Sequence, residues 1–217
     1  MLTAQEAADQ VGLVRREVRS GSRDGQPTKL VLATRSYSAE RTDVWDALTN
    51  PDRLPRWFAP VAGELKEGGS YQVENNAGGT IEHCNAPEQF NLTWEFAGGV
   101  SWLQVTLTEQ ADQTQLELLH EAPIDPHWET YGPGAVGVGW DLSLLGLALH
   151  LESGEAMNPA EVEAWSVAEA GKTFLGEASD GWCVAAIADG ADPEAARAAA
   201  DQVTAFFTTA PESPDGE

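Results

Sequence analysis

Basic residues and cysteines are both scarce in this sequence. Its 217 residues contain 12 Lys and Arg against 35 Asp and Glu, a formal net charge of −23. A surface this acidic repels phosphate backbones and anionic lipid head groups, so we expect neither a nucleic-acid partner nor a membrane partner. The two cysteines, Cys84 and Cys183, are too few for a disulfide framework, and we expect free thiols in a reducing cytoplasm.

Long hydrophobic runs are lacking as well. No uninterrupted apolar run approaches the roughly 18 residues that a membrane span needs. Residues 1–10 are polar and acidic, unlike the basic and then apolar pattern of a leader. We therefore expect a cytoplasmic protein.

Patterns for metals and nucleotides are also missing. The four histidines, at positions 83, 120, 127 and 150, show no metal-ligand spacing. The glycine pairs fall between strands, and none opens a helix as in dinucleotide-binding or phosphate-binding loops. We expect no metal and no cofactor.

Turn residues divide the middle of the chain into a meander of strands. Clusters of Gly, Asn, Asp and Pro recur from residue 63 to residue 113, with short alternating segments between them. Apolar residues such as Leu103 and Val105 fall on one face, whereas Trp102 is out of phase and is expected on the outer face. This pattern predicts an antiparallel sheet with one covered side. A strand over residues 28–37 and two short helices, beginning at Ser38 and at Asn50, precede it.

A long helix is predicted to begin near Gly137. Its apolar residues form two stripes that leave only a narrow polar edge around Asp141, Ser143 and His150, which is typical of a helix buried on more than one side. One side can pack on the sheet. We expect the helices predicted over residues 159–207 to cover the other side, either within the chain or from the partner in a homodimer.

These elements predict an α+β fold in four parts. Residues 1–27 form an N-terminal segment that ends in a loop through Gly21, Gly25 and Pro27, and residues 28–152 form the main domain. Residues 153–210 form a helical extension packed on that domain, and residues 211–217 form a disordered tail.

Several short motifs resemble the SRPBCC (START-related) superfamily, in its branch of activators of a heat-shock chaperone ATPase and polyketide-cyclase-like proteins. In chain order they are VWDALTNP at 44–51, LPRWF at 54–58, GGSY at 68–71, TWE at 93–95 and GW at 139–140. The match covers about residues 28–152, and residues 153–210 resemble extensions of some bacterial members. The resemblance implies a helix-grip fold, in which a curved antiparallel sheet of about seven strands surrounds a long C-terminal helix. It also implies an internal cavity of the kind that relatives use for hydrophobic or amphipathic small molecules.

We predict that ligand-binding residues lie on the inner face of the sheet and on the helices that close it. They are Trp57, Phe58, Tyr71, Trp94, Phe96, Leu103, Leu118, His120, Trp140 and Leu144. His120 is the one weak candidate for a catalytic residue, because it shares a face with Leu118 and could act as a general base. The alternative is a histidine whose ring is bonded to a backbone group, to Trp140 or to Asp141. A nucleophile pair of Cys84 with His120 is disfavoured because no third residue is placed to orient it.

Three functions stay open at this point. The first is a carrier or sensor that binds an apolar small molecule, the second is an enzyme of the cyclase or hydratase type that uses His120 and Tyr71, and the third is a chaperone-interacting protein. The predicted inner face consists mostly of Leu, Val, Phe and Trp, which favours the first. The sequence decides neither the ligand nor whether a reaction is catalysed.

Overall fold

The computed structural model describes residues 2–209 and contains one sheet and seven α-helices within that range. The strands are β1 (Arg15–Arg23), β2 (Gln26–Tyr37), β3 (Val61–Gly63), β4 (Ser70–Val73), β5 (Gly78–Asn85), β6 (Gln89–Phe96), β7 (Gly99–Gln110) and β8 (Gln113–Pro123). The α-helices are α1 (Ala4–Gly12), α2 (Arg41–Thr49), α3 (Pro126–Tyr131), α4 (Gly134–Ser153), α5 (Pro159–Ser166), α6 (Glu169–Ala188) and α7 (Pro193–Thr208). A short 3-10 helix, Leu54–Arg56, follows α2.

The sheet is antiparallel throughout, in the order β1-β2-β8-β7-β6-β5-β4-β3. Its central strands alternate between buried residues on one face and partly exposed residues on the other, as the sequence predicted. The long helix α4 lies against the buried face, where the hydroxyl of Tyr37 donates to the carbonyl oxygen of Leu144 at 3.1 Å. A sheet wrapped around one long helix is the helix-grip arrangement, and this part of the prediction is confirmed.

The sheet has eight strands rather than about seven, because the loop predicted through Gly21 is part of β1. Residues 15–23 pair with residues 26–34 of β2 over their whole length. Asp24 and Gly25 connect them with positive φ angles of 51° and 77°, as two-residue hairpin turns require. Of the residues predicted to form the loop, Gly25 lies in the turn, whereas Gly21 lies in β1 and Pro27 in β2. The predicted tail at 211–217, and residue 210 of the predicted extension, lie outside the described residues.

Two helix starts also differ from the prediction. Helix α2 begins at Arg41, with Glu40 at the capping position and no side-chain cap, while Ser38 accepts a hydrogen bond from Gln113 instead. Asn50 accepts from the backbone of Asp52, but the residues that follow form a turn and then the 3-10 helix. The hydroxyl of Ser38 is thus bonded to Gln113 instead of a helix N-terminus, and Asn50 is bonded within a turn instead of capping a second α-helix.

Helix α4 is covered on its second side by α6 and α7 of the same chain. The indole N–H of Trp182 in α6 donates to Asp141 in α4 at 2.8 Å, and α6 also packs against α1 and β1. By length and composition α4 is apolar enough to cross a membrane, but 61% of that apolar window is buried inside the fold. Its hydrophobic surface is therefore that of a core helix.

Basic residues near the N-terminus pair with acidic residues far along the chain. Arg16 binds Asp141 through two hydrogen bonds of 2.9 and 3.1 Å. The ammonium group of Lys29 lies 2.5 Å from a carboxylate oxygen of Asp189. These two ion pairs join β1 to α4 and β2 to the end of α6.

Candidate ligand-binding site

An apolar cavity of about 290 Å³ lies between the sheet and α4, and we call it the inner cavity. Strands β7 and β8 contribute alternating leucine and valine side chains to its floor, and Leu144 and Leu147 of α4 form its roof. Helix α2 and the segment that contains Trp57 and Phe58 close one side. Side chains two positions apart on a strand, or three positions apart on a helix, lie on the same face. The lining residues of β7, β8 and α4 therefore point into one space.

Most polar side chains of the inner cavity are already bonded within the protein. The hydroxyl of Tyr71 donates to the carbonyl oxygen of Thr93 at 2.7 Å, and the indole of Trp57 donates to that of Ala47 at 3.0 Å. Burial raises the pKa of Tyr71 far above its ordinary value, which keeps the phenol protonated. Among the lining residues, Lys66 is the one that carries a charge, and its ammonium group pairs with Glu64 at 2.9 Å.

A second and larger cavity of about 620 Å³ lies at the N-terminal end of α4, and we call it the outer cavity. Its walls are the ends of β6, β7 and β8, together with α3, the first turns of α4, and the last turn of α7. Phe58, Trp94, Trp140 and Ser143 line both cavities. The rings of Trp94 and Trp140 meet edge to face with centroids 5.1 Å apart, so they separate the two spaces.

The ten residues predicted to bind a ligand divide between these cavities. Eight line the inner cavity: Trp57, Phe58, Tyr71, Trp94, Leu103, Leu118, Trp140 and Leu144. Phe96 and His120 line the outer cavity, because they lie beyond the two tryptophans at the ends of their strands. Alternation along a strand gives the face of a side chain but not its position relative to this division.

His120 lies at the floor of the outer cavity in a directed chain of hydrogen bonds. The indole N–H of Trp140 donates to Nδ1 of His120 at 3.0 Å. The ring proton must therefore be on Nε2, which donates to Oγ of Ser101 at 2.8 Å. The hydroxyl of Ser101 in turn donates to the carbonyl oxygen of Trp94 at 3.1 Å.

Burial keeps the imidazole of His120 neutral. Burial lowers the pKa of the imidazole from 6.5 to about 4, so the ring is neutral at pH 7. Both ring nitrogens are occupied, one by Trp140 and the other by Ser101. Of the two interpretations of His120, a general base or a histidine whose ring is bonded to a neighbour, these bonds agree with the second, and the neighbour is Trp140.

Cys84 and His120 do not face each other. Cys84 lines the inner cavity and His120 lines the outer one, while His83, next to Cys84 in sequence, is exposed. Within the described residues there is also no cluster of three or more side chains suited to a metal ion.

Several lining residues were not among those predicted. Trp45 of α2 and Phe90 of β6 meet edge to face, with centroids 5.8 Å apart, at one end of the inner cavity. Phe90 could have been found, because it has the same parity as Trp94 on its strand. Phe206 and Phe207 of α7 line the outer cavity, and no local pattern links them to strands about a hundred residues earlier.

A family model confirms the resemblance seen in the motifs. The model described as "Activator of Hsp90 ATPase homolog 1-like protein" matches residues 38–152, which is just over half of the chain. The chain belongs to this family. No curated protein matches the sequence.

Solved structures extend the similarity beyond the family model. The solution structure of CalU16 from Micromonospora echinospora is 25% identical with a TM-score of 0.68, covering 82% of this chain and 97% of CalU16. DynU16, from the dynemicin biosynthetic locus, is 26% identical with a TM-score of 0.54, covering 58% of this chain and 48% of DynU16. EF2215 from Enterococcus faecalis shares the fold, with 21% identity, a TM-score of 0.56, and coverage of 72% and 87%. The share of this chain matched by CalU16 is larger than the family model alone would give.

Proposed function

We propose that this protein binds a hydrophobic or amphipathic small molecule in the inner cavity, as a carrier or a sensor. The observation that carries the proposal is the combination of an apolar wall with polar groups that are already bonded to the protein. Such a wall favours the burial of hydrocarbon and offers little to a strongly polar molecule. The volume of about 290 Å³ is just below the range of about 300–1,000 Å³ for ligand sites, which favours a small ligand.

The position of Lys66 favours an amphipathic ligand. Its side chain is 71% exposed and belongs to the lining, so the ammonium group stands at the solvent end of the cavity. A ligand with its apolar part inside would place a polar or acidic head group near this ammonium. The carboxylate of Glu64 already pairs with the ammonium group of Lys66, so the preference for a ligand with an acidic head group is a modest one.

The alternative of acid–base catalysis by His120 and Tyr71 has less support. Tyr71 lines the inner cavity and His120 the outer one, and the hydrogen-bonding atoms of both side chains are occupied. General acid–base chemistry needs two groups that reach one substrate. Binding without chemistry makes no such demand.

A setting for such a ligand comes from one relative. DynU16 is described as a protein of the dynemicin biosynthetic locus. Enzymes of a biosynthetic locus make small molecules, so a binding protein of this fold has a ready ligand there. We propose a cytoplasmic location and a small molecule as the partner, since the net charge of −23 opposes nucleic acids and anionic membranes.

Filling the inner cavity tests this proposal. Ile81 lines the cavity from β5, whereas its neighbour Glu82 is exposed. We expect I81W to retain at least tenfold less of the native small molecule than the wild type, because the indole would occupy its place. Native mass spectrometry of protein purified from its own host, compared with the denatured sample, gives the amount retained and its mass.

The matched control is E82W, which adds the same side chain to the outside of the same strand. We expect E82W to retain as much small molecule as the wild type. Equal retention by I81W and the wild type, or a wild type that carries nothing, would contradict binding in the inner cavity.

A further inference from the structure

The outer cavity is formed jointly by the family domain and the helical extension. Residues 38–152 match the family model, but Val203, Phe206 and Phe207 of the cavity wall belong to α7. At about 620 Å³ the space is within the range of ligand sites. The extension therefore adds a second, partly open space to the domain, next to the inner cavity.

Three of the four glycines of α4 are required by close packing. A Cβ at Gly134 would lie 2.9 Å from a methyl group of Val203. One at Gly137 would lie 2.3 Å from the ring of Trp182, and one at Gly146 would lie 2.7 Å from the carbonyl oxygen of Trp57. A real Cβ does not approach other atoms so closely, so these positions need glycine.

Gly139 is the exception. A Cβ at this position would have no atom within 4 Å outside its own helix, and the residue lines the outer cavity. Glycine destabilises a helix interior relative to alanine, and packing does not require it here. Gly176 of α6 is open in the same way, so an open helical glycine is not by itself the mark of a site. Gly139 differs from Gly176 in its position, because it lines the outer cavity and any larger residue would project into that space.

The walls of this space offer aromatic faces. Phe96 and Phe206 stand at its rim with 58% and 69% of their surfaces exposed, so both rings are accessible from solvent. Tyr131 supports Phe206 edge to face, with ring centroids 6.3 Å apart, and His127 lies 4.8 Å from Tyr131. Rings held at such angles suit a flat aromatic molecule that stacks on one and meets the edge of another.

The polar groups of the outer cavity favour an uncharged molecule. Asp125 is the one formally charged residue among those that line it, and Lys and Arg are not represented in that lining. An anionic ligand would meet this carboxylate and the overall charge of −23. Asn75 and His127 provide hydrogen-bonding groups near the rim, whereas His120 and Ser101 at the floor are bonded to each other.

We propose that the outer cavity is a second binding site, which takes an uncharged planar aromatic molecule, and that Gly139 determines its capacity. The site is distinct from the inner cavity, so the proposal goes beyond the carrier or sensor function described above. Trp94 and Trp140 lie at the boundary between the two sites, so we expect each site to be filled without the other.

N-phenyl-1-naphthylamine, an uncharged aromatic fluorophore that brightens in apolar surroundings, tests this site. We expect saturable binding to the wild type and at least tenfold weaker binding to G139L, because the leucine side chain would occupy the open space beside α4. Fluorescence titration measures the dissociation constant of each protein, and circular dichroism with thermal melting shows that each variant is folded. A second variant, F206A, removes an exposed wall without disturbing the core, and we expect several-fold weaker binding.

The matched control is G176L. Gly176 is also a helical glycine with no atom within 4 Å of its Cβ position, but it lies on α6 outside both cavities. We expect G176L to bind the probe as the wild type does, and I81W, which fills the inner cavity, to bind it within twofold. Unchanged affinity in both G139L and F206A would overturn the proposal, as would loss of all probe binding in I81W.

Discussion

The two sides of helix α4 are packed in opposite ways. Towards the extension, Gly137 leaves no room for even a methyl group beside Trp182, and Asp141 is bonded to Arg16 and Trp182. Elsewhere the same helix borders two cavities, one of about 290 Å³ against the sheet and one of about 620 Å³ between the strand ends, α3 and α7. Gly137 lies on the tight side and Gly139 on the open side, and the two residues are only two positions apart. Tight and open packing therefore occur within one turn of the helix.

This difference separates the part of the molecule that provides stability from the part that is available for binding. Protein interiors are normally packed as densely as organic crystals, and an empty space forfeits attractive contacts with its lining. Because this sequence packs one side of α4 so closely, it could also have packed the other side closely. Under the proposed function, the open side would hold ligands and the tight side would keep α4 in place while they enter and leave.

The largest expected effect comes from breaking the polar contact on the tight side. D141A would leave the Arg16 guanidinium, whose side chain is 8% exposed, without its carboxylate, and Trp182 without its acceptor. Removing one partner of a buried ion pair costs about 3–5 kcal/mol, because the remaining charge stays buried. We expect a loss of this size in the free energy of unfolding, measured by urea titration at pH 7.

An exposed ion pair supplies the control for D141A. Glu17 binds Arg15 and Arg19 at the surface, and its side chain is 36% exposed. We expect E17A to cost less than about 1 kcal/mol, because water screens such pairs. If D141A cost no more than E17A, the tight side would not be the main support of α4.

The next effect concerns the open side and depends on pH. His120 has a pKa of about 4 in the folded protein, below the 6.5 of an unperturbed histidine. Between these values the unfolded chain binds a proton at this residue and the folded protein does not, so stability falls as the pH is lowered from 6.5 to 4. The expected loss is roughly 3 kcal/mol, at up to about 1.4 kcal/mol per pH unit.

Comparison with H120Q isolates this contribution. Glutamine does not titrate, and its amide can both accept from Trp140 and donate to Ser101. Burial raises the pKa of Asp141, which acts in the opposite direction over part of the same range but is present in both proteins. We expect urea titrations to show a shallower loss of stability towards pH 4 for H120Q. Parallel pH profiles for the two proteins would show that His120 is not held neutral by the fold.

Much of the fold could be predicted because its signals are local. Hairpin turns and alternating strands are encoded by neighbouring residues, and they gave the meander from β3 to β8. The Asp24-Gly25 turn is an equally local signal for β1, and the prediction of a longer loop overlooked it. The start of α4 was predicted near Gly137 and lies at Gly134, a difference of less than one turn.

The division of the site into two cavities could not be predicted in this way. It depends on where Trp94 and Trp140 meet, and these residues come from a strand and a helix 46 positions apart. Alternation placed Phe96 and His120 on the inner face but could not show that they lie beyond this contact. The pairing of Arg16 with Asp141 spans 125 positions and likewise has no local signal.

The smallest effects sharpen the comparison most, because they come from the same substitution at two positions of one helix. G137A would place a methyl group against Trp182, and we expect it to destabilise the protein by about 1–3 kcal/mol through overpacking. G139A places the methyl group in open space, and we expect it to stabilise the protein by about 0.5–1 kcal/mol, because alanine favours the helix. Urea titrations of the two variants at pH 7 measure both changes. Opposite signs would mean that α4 has one side closed by packing and one side kept open against the preference of the helix, whereas two losses of equal size would show that Gly139 is a packing residue like Gly137.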